Sequence, residues 1–118
     1  MSYQERTLFR SYSTSSPMGQ YEFASQPDAS GRVGRAGAGA RSVGVAVQAA
    51  TAANQTIAVA YDGRVKVIAG GTIAAGAAVM SNASGRAITW TATNTVLGYA
   101  TEAAVVGQVI TIQLARMA

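Results

Sequence analysis

From Ser42 onward, apolar and polar positions alternate in short runs broken by turn residues, a pattern of β-strands rather than helices. Ile57, Val59 and Tyr61 share one face of a run that ends in Asp62-Gly63. That dipeptide suits the positive φ angles of a two-residue hairpin, and Val65 and Val67 resume the alternation, so the reading predicts a hairpin there. Gly70-Gly71 and Gly76 break the chain again, followed by AAVMS, the turn SNASG, and AITWT with Ile88 and Trp90 on one face. Ile110, Ile112 and Leu114 alternate with Thr111 and Gln113 near the end. The pattern predicts an all-β fold, a small β-barrel or β-sandwich of about seven short strands. Its expected core contains Val45, Ile57, Val59, Val67, Ile88, Trp90, Ile110 and Ile112.

The first third of the chain reads differently. Tyr3, Phe9, Tyr12, Tyr21 and Phe23 are scattered among Ser, Gln, Arg and Glu with no sustained period, and GRVGRAGAG (31–39) has the glycine content of a flexible connector. Residues 1–38 are therefore expected to form an extended N-terminal arm with its connector, and residues 39–118 the β domain. Aromatic side chains on a polar segment suit anchoring in pockets of a partner. Tyr3, Phe9 and Tyr12 are the expected anchors, with Arg6 and Arg10 meeting acidic groups, and the arm is expected to order only against that partner. Tyr21 and Phe23 suit either an anchor or an ordinary edge strand.

An internal repeat runs through the β region. VGVAVQAA (43–50) aligns with LGYATEAA (97–104), and each is followed by a strand, QTIAVAY (55–61) in one case and QVITIQL (108–114) in the other. Two similar halves wrapping one core account for it.

Composition narrows the chemistry. A chain of 118 residues has room for one compact domain. Histidine and cysteine are both absent, which removes the usual general base, thiol nucleophile and nitrogen or sulfur metal ligands. After Asp28 the only acids are Asp62, in the turn dipeptide, and Glu102, whose repeat counterpart is Gln48. No enzyme activity, cofactor or metal is expected. The glycine-rich GRAGAGARS (34–42) lacks the lysine, spacing and following helix of a phosphate-binding loop. Apolar runs stop well short of the roughly 20 residues of a membrane helix, and no apolar segment follows the charged start as in a secretory signal, so no membrane association or export is expected. The net charge of +4 comes almost wholly from arginine. Arg32, Arg35 and Arg41 among glycines form a weak basic tract, which keeps a nucleic-acid binder open as an alternative. Trp90 with Asn82, Thr91 and Asn94 keeps open a carbohydrate-binding tail or fibre module as a second alternative.

Taken together, GVAVQAA, IAVAYDGRVKV, IAAGAAVMSNASG and LGYATEAAVVGQVITIQL resemble the structural-cement or capsid-decoration family of tailed phages over roughly residues 42–115. The resemblance implies a small β-barrel domain, usually a homo-oligomer, trimeric or dimeric. It implies a place on the outer surface of the virion capsid, where it reinforces contacts between major capsid subunits, and it brings no catalytic residues. The arm residues Tyr3, Arg6, Phe9, Arg10 and Tyr12 then become the expected contacts with the capsid or a neighbouring subunit.

Overall fold

Among the residues that the computed structural model describes, 8–91 and 94–114, the chain forms nine β-strands and no helix. They are β1 (Leu8–Ser13), β2 (Phe23–Ser25), β3 (Ser42–Ala46), β4 (Thr56–Asp62), β5 (Arg64–Ile68), β6 (Ala78–Ser81), β7 (Ala87–Thr89), β8 (Gly98–Ala100) and β9 (Val109–Leu114). A four-stranded sheet has the order β1-β4-β3-β2 and a five-stranded sheet the order β5-β9-β8-β6-β7, with every named pairing antiparallel. The seven strands expected beyond residue 42 are β3 to β9. The sheets pack as a sandwich. Neither closes into a barrel by a continuous ladder, although single parallel bridges, Thr14 to Val33 and Ala69 to Ala87, draw the ends of each sheet together.

Residues 8–38, expected as arm and connector, are built into the fold. β1 pairs with β4 along its whole length, β2 pairs with β3, and Met18, Phe23, Ala24 and Val33 are buried. β2 is only three residues long and β1 carries mostly polar side chains, so neither shows a period in the sequence. For Phe23 the edge-strand reading holds, since β2 lies at the margin of its sheet.

The two sheets are built alike, which gives the repeat a three-dimensional form. β1 to β4 stand to one another as β5, β6, β8 and β9 do. Core residues match one for one: Met18 with Ile73, Val33 with Ala87, Ala50 with Ala104, Ile57 with Ile110 and Val59 with Ile112. Backbone bonds match too. Met18 and Ala50 exchange hydrogen bonds of 3.0 and 2.9 Å, as Ile73 and Ala104 do at 2.9 Å each. The residues with positive φ fall in register, Tyr21 with Gly76, Gly31 with Gly85 and Asn54 with Gly107. Gly44 and Gly98 also correspond, and both lie against the backbone of the neighbouring strand. A Cβ on Gly44 would run into the carbonyl oxygen of Ala60, and one on Gly98 would lie 2.6 Å from that of Gln113, so neither position accepts a side chain. The first unit thus spans 8–62 and the second 64–114.

Asp62-Gly63 joins these units instead of closing a hairpin. β4 and β5 belong to different sheets, and only Gly63 of the two has a positive φ (97°), whereas the expected hairpin turn needs it at both residues. Ile57 and Val59 consequently fill one cluster and Val65 and Val67 another. Six of the eight expected core residues are buried; Ile88 and Trp90 are only half-buried, because β7 is a short strand at the edge of its sheet. Ile73, Val79 and Leu97 take core places that lie in irregular or very short runs.

Candidate functional site

Several polar side chains of the described chain are occupied in holding loops. No group of three or more His, Cys, Asp or Glu that could hold a metal occurs among the described residues. Glu22 is buried, accepts the Gly19 N–H at 2.7 Å and lies 2.7 Å from Arg35 Nε. Asp28 Oδ1 accepts the N–H groups of Ser30 (2.8 Å) and Arg32 (3.0 Å). The bond from the Arg32 backbone is the main reason that the Asp28 carboxyl is held below its ordinary pKa. Asn82 Oδ1 does the same for Ser84 (2.8 Å) and Arg86 (3.0 Å).

These contacts bear on the alternative readings. Arg32 and Arg35, two arginines of the candidate basic tract, already face Asp28 and Glu22, which leaves exposed Arg41. Trp90 donates its indole N–H to the Asn94 carbonyl at 2.8 Å, and the Asn94 amide donates to Thr91 Oγ1 at 2.8 Å. The side chains expected to greet a sugar are thus largely spent on one another.

The expected anchors are divided by the structure. Tyr3 and Arg6 lie outside the described residues. Phe9 on edge strand β1 is 54% exposed, beside Tyr21 and Val47 at a shallow groove along the seam between the units. Arg10 is exposed with its guanidinium 5.3 Å from the centre of the Tyr61 ring. Tyr12 packs half-buried against the cluster of the first unit.

Other exposed apolar residues lie on the second unit: Tyr99 on β8, Val109 on β9, and Val105 and Val106 in the loop between them. Val105 borders a groove floored by Ile73 and Ala104. The repeat carries the signal of this loop: Val105-Val106 stand where the first unit has Thr51-Ala52. The two loops are built alike, since Gln55 Oε1 accepts the Thr51 N–H at 2.8 Å and Gln108 Oε1 accepts that of Val105 at 2.9 Å. Exposed valines in place of threonine and alanine are a costly surface choice unless something covers them.

A β-sandwich with apolar side chains on its surface, and no metal-ligand group among its described residues, matches a known family. The phage cement protein family profile matches residues 23–115. The chain belongs to that family. As a phage cement protein it is a structural, virion-associated protein, and the match begins at β2, inside the segment expected as an arm. No curated protein sequence matches the chain. Among solved structures, the N base of the head fibre protein gp8.5 of bacteriophage phi29 has a similar fold, with a TM-score of 0.79 over 94% of this chain and 96% of that one at 22% identity.

Proposed function

We propose that this phage cement protein binds the outer surface of the assembled capsid as a homo-oligomer and reinforces the contacts between major capsid subunits. The family match over residues 23–115 carries the reading. The likeness to the base of a phage head fibre agrees with it. Capsid contact runs through the N-terminal segment: Tyr3, Arg6 and the edge strand bearing Phe9, Arg10 and Tyr12. Several weak contacts made at once from one oligomer raise the effective concentration of each later one, so the assembly holds although each contact is modest. Bridging of neighbouring subunits then resists the outward pressure of packaged DNA.

The test is to mix purified protein with empty expanded heads and sediment them. Decoration of heads is expected, with retention lost in a Phe9→Glu variant that keeps its β circular dichroism. Intact decoration by that variant removes β1 from the capsid contact, and absence of the wild-type protein from the pelleted heads defeats the reading.

A further inference from the structure

The two units are alike, but their surroundings differ. On the first unit, Phe23, Ala36, Val45 and Ala60 form a face that is completely buried, because the second unit covers it and the four side chains join that unit's core. The matching positions on the second unit are Ala78, Trp90, Tyr99 and Gln113. The match is set by the ladders: the Ala36 N–H donates to the Phe23 carbonyl at 2.9 Å, and the Trp90 N–H to the Ala78 carbonyl at 2.8 Å. No residue of this second face is buried, and Tyr99 is 48% exposed where Val45 is 0%.

The covering surface has the same asymmetry. The second unit covers the first with the end that carries Val65, Leu97 and the loop of Gly85, whose carbonyl accepts the Phe23 N–H at 2.7 Å. A Cβ at Gly85 would sit 3.2 Å from the Phe23 carbonyl oxygen. The equivalent end of the first unit carries Arg10, Val43 and Gly31. There a Cβ at Gly31 would meet nothing within 4 Å.

One face and one end are thus joined inside the chain, and one face and one end are left over. The leftovers are the counterparts of the two surfaces that meet within the chain, and they lie on different units. We propose that the open face of the second unit of one copy docks on the open end of the first unit of another copy, continuing between molecules the packing that joins the two units within one. The occupant is a second copy of this chain, and the contact is continuous in kind with the interface between the units. Its chemistry also suits burial: Tyr99 and Trp90 offer aromatic rings, and Val43 offers a partly exposed apolar side chain at the opposing end. A face-to-end contact is heterologous, so it closes into a ring or runs on as a fibre, and it does not make a two-fold dimer. This deepens the homo-oligomer part of the proposed function and rests on it, while standing apart from capsid binding.

The chain has no cysteine, which makes disulfide trapping clean. Within the chain, a Cβ at Gly85 would lie 3.6 Å from Arg35 Cβ, within the roughly 3.5–4.5 Å span of a disulfide. Their open counterparts are Gly31 and Thr89. Full-length Gly31→Cys and Thr89→Cys proteins, mixed and mildly oxidised, should give a covalent dimer holding one chain of each, with several-fold less from either variant alone. Adding Tyr99→Glu to the Thr89→Cys chain should abolish the product, and adding Phe9→Ser should leave it. Sedimentation velocity of Tyr99→Glu with every glycine intact should show monomer where wild type shows oligomer, a readout independent of the strained Gly31 position. Equal dimer yields from a single-cysteine variant alone, or a wild-type chain that stays monomeric at high concentration, overturn the proposal. None of these measurements uses heads, so a chain that self-docks as described but fails to pellet with heads sinks only the capsid reading.

Discussion

Asp28 and Asn82 do the same work in the two units with different chemistry. Each gathers the backbone of an A-S-G-R turn onto one side-chain oxygen, and only Asp28 titrates. Its folded pKa is lowered, so its contribution is present above the ordinary carboxylate value and is lost as pH falls through the lowered one. An Asp28→Asn variant should therefore fold normally, as Asn82 shows, and should lose less thermal stability than wild type on acidification; melting curves across a pH series check this. Gly44 is the opposite case, a position with no substitute. Gly44→Ala should prevent native folding, seen as loss of a cooperative melt, because the Ala60 carbonyl occupies the place of the new methyl group. Ile112 lies between these extremes. It is fully buried, and Ile112→Ala should cost about 2–5 kcal/mol in denaturant unfolding.

At the scale of elements, β1 decides what the N-terminal segment is for. It covers the open side of β4 with six residue pairs, and Met18 just beyond it is a core residue. Deleting residues 1–18 should accordingly lower the melting temperature sharply and promote aggregation through the bared edge of β4, which light scattering during a melt would report. Strands with alternating aliphatic residues were legible: Ile57 and Val59, Val65 and Val67, Ile110 and Ile112 are all buried as their spacing implies. β1 was not, because pairing with β4 and not burial along the strand holds most of its residues in place, and β2 was not because its two buried residues are too few to show a period. Their signal lay in the repeat. DASGR (28–32) and NASGR (82–86) are 54 residues apart, like the strands that follow them, and place the first unit's start well before residue 39. The hairpin misled for a related reason. Asp62-Gly63 is chemically fit for a tight turn, and only the packing of two sheets reveals that the chain changes sheet there. Of the site, Phe9 stood out as an aromatic on a polar strand, whereas Tyr99 and Val105 gain meaning only when their buried or polar counterparts are known.

The molecule as a whole depends on both units at once. Phe23, Val45 and Ala60 complete the core of the second unit, so a fragment of residues 64–118 should not fold alone, and intact protein should melt in one transition seen alike by circular dichroism and tryptophan fluorescence. A fragment with a cooperative melt of its own would show that the units are independent domains. Between β4, ending at Asp62, and β5, beginning at Arg64, there is only Gly63, and its carbonyl accepts the Leu114 N–H at 3.0 Å. Such a joint has no slack. A load taken up by the first unit reaches the second through one pinned peptide, with no hinge to absorb it. Attachments made at the two ends of the molecule would therefore be held at a fixed separation, as the two marks on a ruler are.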